Sequence, residues 1–379
     1  MYKQSLVRLI FYITTWGYLT FNILVAWMPS LDLPLLALRE SWMVILVVFL
    51  FKTRRSVSLL LIFFISLVGF VPYFSGEFDI DIIGYFYGFR DIFLLILIVE
   101  LLKLHDDFFP KNINVFNFLY IILSVSLLDV VLTNLLGFDI VQKILGVDNY
   151  YINKGVDINL SNGILGDRVG APLFSPNLLC TLLGLVYFFD KRIFCGKLVF
   201  KFIALVVSIF TVSKVILVTV GFYFLGKRWF IPIIVSLSSI PIIYVIVNTV
   251  YLGLSDGSLK YHFASVIGHL NAFTMVMENN VLSITPDPLG SHSIAMRVIS
   301  GGTDVGAGIE SSILTRLSEL KVFYLLVVFY IFHSLIYIKN NLRRKFLVSF
   351  LVISLLTATS NQPVAFMPAL FLLRLYSDE

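Results

Sequence analysis

Long apolar runs, broken by short polar stretches, dominate this chain. A helix needs about 20 mostly apolar residues to cross the roughly 30 Å hydrocarbon layer of a bilayer. On that measure the pattern predicts spans at 6–27, 34–51, 56–74, 82–102, 114–136, 175–189, 200–213, 214–226, 229–250, 320–338, 346–359 and 362–375. The expected fold class is an all-α polytopic membrane protein with about 12 transmembrane helices, one integral membrane domain over 1–379. Some of these spans are short. The run between Lys201 and Lys214 offers only about 18 Å of helix at 1.5 Å per residue. A single span over 200–226 is the rival reading.

Charge decides between the two, because Lys and Arg concentrate on cytosolic loops. One set of loops carries Lys3, Arg8, Lys52, Arg54, Arg55, Lys103, Lys111, Lys191, Arg192, Lys197, Lys201, Lys227, Arg228, Lys339, Arg343, Arg344, Lys345 and Arg374, most of the 28 basic residues. That set is read as cytosolic, with both termini inside. A single span over 200–226 would move Lys339 to Lys345 outside, so two short helices are expected. The opposite, periplasmic face then owns two long loops, about 137–174 and 251–319. In the second, Val266, Ile267, Leu270, Phe273 and Met277 recur at helical spacing. That amphipathic helix either lies on the outer leaflet or covers the loop's own small core.

Composition sharpens the exclusions. The 379 residues are 59% hydrophobic and 13% charged, with mean hydropathy +0.94. Soluble domains are about 45–50% apolar and about 25% charged. A soluble enzyme, a disordered chain and a disulfide-rich secreted module are excluded. The net charge of +5 fits cytosolic loops better than nucleic-acid binding. Cys180 and Cys195 cannot build a disulfide framework. Lys3 and Arg8 precede a long apolar run without a small-residue cleavage site, so the first span is expected to be retained.

The candidate chemistry is charge at the outer boundary of the membrane. Neither a phosphate-binding glycine loop nor a metal-spaced His/Cys/Asp cluster is present in the sequence, so no cofactor and no metal is expected. Arg168-Val-Gly-Ala-Pro-Leu-Phe-Ser175-Pro176-Asn177 closes the first long loop and opens a span. Ser175 suits an N-cap and Pro176 the first helical position. Free N–H groups there, with Arg168 nearby, suit a phosphate. Alternatively, Ser-Pro is only a helix start and Arg168 a solvated loop charge. Arg39-Glu40 and Arg90-Asp91 sit inside apolar runs, where a charge is a functional candidate. Neighbours in sequence do not face each other on a helix, so interhelical ion pairs are the structural alternative. Lys214 is either a site residue or a snorkelling side chain. For Glu100 and Asp129 structural pairing is expected. His292, beside a Gly/Ser turn, and Glu310 could accept a proton. Arg316 and Glu319, three apart, read as a surface pair.

Three stretches carry a resemblance. They are Arg168-x-Gly-x-x-x-Phe-Ser-Pro-Asn177, Phe210-Thr-Val-Ser-Lys214 and Gly308-Ile-Glu310-Ser311. In this order, and on a shared outer face, they resemble the O-antigen ligase/polymerase superfamily, and within it O-antigen polymerases of the Wzy type. The spacing Arg297 to Gly308 is similar to the periplasmic Arg-x10-Gly pattern of that family. Position 179, however, is Leu, and Glu319-Leu-Lys321 stands where the family has Glu-x-Gly. The resemblance implies a GT-C-like fold and transfer between undecaprenyl-diphosphate-linked glycans at the periplasmic face of a bacterial inner membrane. It implies diphosphate binding by Arg168, Asn177, Lys214 and Arg297, with His292 or Glu310 as base. Arg39, Arg90, Asp91 and Arg316 are further site or structural charges. Implied partners are the lipid-linked glycans, the bilayer and a chain-length regulator, with no nucleic acid. A lipid-linked oligosaccharide flippase or an O-antigen ligase acting on lipid A core are the alternatives.

Overall fold

The structure is a computed structural model, and it describes residues 2–74, 82–105, 108–110, 112–137, 139–147, 149, 171–189, 198–210, 276, 278, 281–291, 311–356 and 362–376. Among the described residues the regular elements are helices. In chain order, α1 (Tyr2–Tyr12) runs through a π-helical turn (Ile13–Gly17) into α2 (Tyr18–Trp27). Then come α3 (Asp32–Arg39), α4 (Trp42–Lys52), α5 (Ser56–Phe70), α6 (Ile82–Lys103) and α7 (Val115–Asp129), the last extended by a π-helical stretch (Val130–Leu135). After α8 (Ile140–Leu145) follow α9 (Pro176–Phe189), α10 (Leu198–Phe210), α11 (Ser312–Leu320), α12 (Tyr324–Tyr337), α13 (Asn341–Leu356) and α14 (Pro363–Tyr376).

Among the described residues five runs are long and apolar enough to cross a membrane: Lys3–Trp27, Pro34–Lys52, Ser56–Phe74, Val115–Asn134 and Ser312–Tyr337. The first four coincide with expected spans. The fifth starts at Ser312 rather than 320, because Ser311 accepts a hydrogen bond from the Leu314 N–H at 3.2 Å and caps the helix there. Helices α6, α9, α10, α13 and α14 overlap the expected positions 82–102, 175–189, 200–213, 346–359 and 362–375, with α13 starting five residues earlier, at Asn341. The expected spans 214–226 and 229–250 lie outside the described residues, as do most of both long loops and most of the amphipathic pattern at 266–277.

The side chains are sorted as in a protein surrounded by lipid. On α5, Ser58 and Gly69 face inward with Leu61, Ile62 and Ile65, while Leu60, Phe63 and Leu67 stand outward. On α12, Tyr330 and Ser334 are buried, while Leu325, Phe329, Phe332 and Ile336 are exposed. Water would favour the reverse arrangement. Small and polar residues at helix contacts, with apolar residues outside, are how helices pack where the solvent is as apolar as leucine. Hydroxyls inside the spans bond to their own backbone. The Thr14 hydroxyl donates to the Ile10 carbonyl and that of Thr15 to the Phe11 carbonyl, each at 2.7 Å. These bonds satisfy groups that lipid cannot.

The chain packs as two compact units. Unit 1 comprises 1–54, 104–224 and 362–379. Its centre is α14, buried on every side from Val364 to Leu373 and packed on α9, α7 and the first π turn. A helix apolar all round belongs in an interior. At one end of this unit Lys3 lies over the Phe108 ring at 4.5 Å, and Arg374 lies over Phe109 at 5.1 Å. Unit 2 comprises 55–103 and 225–361. Its centre is α6, buried from Ile92 to Leu102 and flanked by α5, α12 and α13.

The outward face of α5 gives a direct test. Phe63 is 62% exposed. Phe63→Lys should cost about 2.5–3.5 kcal/mol of insertion, the range for a lysine at mid-span. In water the same change would be neutral. A glycosylation-reporter insertion assay on the segment 56–74 reads the difference, and unchanged insertion would mean that this face does not meet lipid.

Candidate functional site

In unit 2 the amino-terminal half of α6 and α11 bring three charges together. Arg316 donates from Nη1 to Glu319 Oε2 on its own helix, and its Nε lies 3.4 Å from Asp91 Oδ2 on α6. Arg316 is 3% exposed and Glu319 is wholly buried. The i, i+3 pair expected at the surface is therefore interior, because α11 opens a membrane-length helix instead of leading up to one. Sequence spacing is the same for an exposed and a buried pair, so nothing in it marks the difference.

A strap from the second long loop is tied to this cluster. The Asp287 N–H donates to the Glu319 carbonyl at 2.8 Å, and Lys321 Nζ donates to Asp287 Oδ1 at 3.0 Å. The Leu289 N–H reaches the Gly69 carbonyl at 3.1 Å, and the Tyr73 hydroxyl donates to the Leu289 carbonyl at 2.8 Å. A turn follows, in which the Ser291 N–H donates to the Pro288 carbonyl at 3.1 Å. Two glycines make this approach possible. A Cβ on Gly69 would lie 2.7 Å from Leu289 Cβ, and one on Gly88 would lie 2.8 Å from the Gly290 nitrogen and collide with Arg316 Nη1.

Asp91, Ser312, Arg316, Tyr324 and Ser354 line a cavity of about 20 Å³ whose other walls are apolar. That is room for one water molecule. Ser312 Oγ is buried there without a hydrogen-bond partner. Asp91 and Ser312 thus offer an acceptor and a hydroxyl to whatever fills the space. Arg316 is shared by two carboxylates, so its charge is already matched. It is a poor clamp for a diphosphate, and its role in this arrangement is to hold α6 to α11.

Arg39 belongs to unit 1 and has different partners. It donates to Glu40 Oε1 from Nε and Nη2 at 3.0 and 2.8 Å, and to Asn22 Oδ1 at 2.8 Å. The Trp42 indole donates to the other Glu40 oxygen at 2.9 Å. Arg39 thus has one partner on another helix, Asn22, and its ion pair is with its neighbour Glu40 rather than an interhelical acid. α3 ends at Arg39, so Glu40 leaves the helix and its side chain can swing back. Arg90 is buried on α6 beside Asp91. Asn177 is the second residue of α9, which begins at Pro176 as expected, with the Leu179 N–H donating to the Ser175 carbonyl at 3.1 Å. The residues before it, Ala171 to Phe174, are buried, and the Ala171 carbonyl accepts from the Ser126 hydroxyl at 2.9 Å. His292, Glu310, Arg168, Lys214 and Arg297 lie outside the described residues.

Two further buried carboxylates have structural partners, as expected. Glu100 Oε1 accepts from the Ser58 and Tyr330 hydroxyls at 2.8 and 2.7 Å, and Arg55 lies 3.3 Å from Oε2. Asp129 Oδ1 accepts from the Thr133 hydroxyl at 3.0 Å. No group of three or more His, Cys, Asp or Glu residues suited to a metal occurs among the described residues. Compared with family models, with curated proteins and with solved structures, the chain matches none.

Removing one member of a buried ion cluster leaves the others unmatched, which costs about 3–5 kcal/mol. Arg316→Met should therefore lower the unfolding temperature of the purified protein by several degrees. Gly88→Ala should destabilise by about 1–3 kcal/mol, as overpacking does. Thermal unfolding in detergent, followed by tryptophan fluorescence, measures both. Wild-type midpoints would mean that the cluster does not hold α6 to α11.

Proposed function

We propose that this chain is a multi-pass glycosyltransferase that polymerises undecaprenyl-diphosphate-linked O-antigen, or a similar surface polysaccharide, at the periplasmic face of a bacterial inner membrane. The observation that carries the reading is the order of three short stretches, Arg168 to Asn177, Phe210 to Lys214 and Gly308 to Ser311, in a chain dominated by membrane-length apolar runs. Their described ends support it. Asn177 lies in the first turn of α9, Phe210 belongs to α10, and Ser311 caps α11. The first and third stretches therefore adjoin helix starts, where a loop residue can be held rigidly.

The chemistry follows from the donor. A hydroxyl of one repeat unit attacks the anomeric carbon of the other chain. The bond from that carbon to the diphosphate oxygen breaks, and undecaprenyl diphosphate leaves. The hydroxyl proton passes to His292 or Glu310. The donor is already activated, so no nucleotide is required. The leaving diphosphate gathers negative charge, and fixed cations and helix N-termini stabilise it as that charge develops. Arg168, Lys214 and Arg297 take that part, with Asn177 at the start of α9. In this reading the protein has about 12 spans with both termini cytosolic, and a chain-length regulator is its protein partner.

A second reading has its own observation. Charges buried at membrane depth, as at Asp91, Arg316 and Glu319, are also used by ion-coupled carriers. A lipid-linked oligosaccharide flippase would need them. An O-antigen ligase acting on lipid A core would share the glycosyl-transfer chemistry.

A chromosomal deletion, read by lipopolysaccharide gel, separates the polymerase from the other two. Core carrying a single repeat unit without a ladder is the result expected of a polymerase. Bare core would overturn that reading in favour of ligase or flippase. In the polymerase, Arg168→Ala and Arg297→Ala should each reduce polymer formation by about 10²–10³-fold, the loss seen when one charge-stabilising donor is removed. Arg168→Lys should retain only part of the activity if the diphosphate is held by both arms of the guanidinium. Normal polymer from both alanine variants would remove these cations from the site.

A further inference from the structure

The segment that follows α7 holds an arrangement that glycosyl transfer does not use. On α8, Val141 and Gln142 are turned inward and buried, while Ile140, Lys143 and Ile144 face outward. Ile140 is 47% exposed and Ile144 67%. In water the glutamine would gain from facing out and the isoleucines from facing in. The helix is nonetheless held in place. The Trp27 indole N–H donates to the Ile144 carbonyl at 3.3 Å, and Val147, just beyond α8, packs with Ala26 and Phe174.

Residues joined to α8 by the Trp27 bond or by the chain also expose apolar side chains. Trp27, Met28 and Leu136 are each about half exposed. Trp27 and Asn134 are the last residues of two membrane-length runs, so α8 starts where the chain leaves the hydrocarbon layer. Tryptophan is enriched at that boundary, where its ring is buried and its N–H is satisfied. The outward row Ile140, Lys143, Ile144 pairs two apolar side chains with one cation on a flexible stem. Such a stem lets the charge reach the headgroups while its carbons stay in the apolar layer.

We propose that α8 is an interfacial helix. It lies in the plane of the membrane with Ile140 and Ile144 among the lipid acyl chains and Lys143 at the headgroup phosphates. The occupant of this face is the lipid of the leaflet in which Trp27 ends its span. The inference rests on the membrane placement of the chain and not on glycosyl transfer. Its consequence is positional. The first residues of the loop expected over 137–174 are pinned to the bilayer surface. The turn Ala171–Phe174, whose Phe174 shares a cluster with Val147, is thereby fixed at membrane height just before α9 opens.

The test is site-directed spin labelling of the full chain in liposomes of phosphatidylethanolamine and phosphatidylglycerol. Labels go on Ile140→Cys and Ile144→Cys in a background with Cys180→Ala and Cys195→Ala. Both sites are exposed, so the label displaces no core side chain. The expected result is faster relaxation with oxygen, which partitions into lipid, than with a water-soluble nickel chelate at both positions. A larger effect of the nickel chelate would put this face in water and overturn the proposal. Protection from both reagents would mean that protein covers the face, and would overturn it equally. Neither readout depends on polymer formation, so failure here leaves the proposed reaction standing, and failure of that reaction leaves α8 where it is.

Discussion

Hydrocarbon offers no hydrogen-bond partner and almost no dielectric screening, and many of the polar groups described in the spans of this protein are arranged around that fact. Thr14 and Thr15 turn their hydroxyls onto carbonyls one helical turn back. Glu100 gathers two hydroxyls and Arg55. Arg316 is held between Glu319 and Asp91. An isolated ion moved into such a medium costs far more than one hydrogen bond returns. The charges therefore do not sit wherever a helix happens to carry them. They set which helices must be neighbours, and the Arg316 cluster fixes α6 against α11.

That constraint reaches beyond the helices. The strap at 287–291 docks where the cluster lies because its backbone finds partners there, namely the carbonyls of Gly69 and Glu319 and the hydroxyl of Tyr73. The docking requires bare backbone on α5 and α6, which Gly69 and Gly88 provide. Part of the loop read from the sequence as long and periplasmic is a packed element at 287–291. Its last described residue, Ser291, directly precedes His292.

Some of this was legible beforehand for simple reasons. Apolar runs of the length of Lys3–Trp27 or Ser56–Phe74 have one physical explanation, and helices were found where they were expected. Ser175-Pro176 reads as a helix start because capping and proline geometry are local. The partners of charged residues were not legible. Arg39 meets its neighbour Glu40 only because α3 stops there. Arg316 and Glu319 are interior only because their helix begins at Ser312. Both outcomes depend on where a helix ends, and that is set within a residue or two by caps and contacts from elsewhere in the chain.

The sequence by itself determined that the chain is helical and apolar on the scale of a bilayer, because composition and run length act through solvation and need no knowledge of neighbours. It also determined which residue types are too costly to bury alone. Only the tertiary structure decided how that cost is met. It matched Asp91 with Arg316 across more than two hundred residues of chain, turned Ser58 of α5 inward and Phe63 and Phe64 outward, and left Ile140 and Ile144 facing out from α8. Those choices are contacts between segments remote in sequence, and no local pattern carries them.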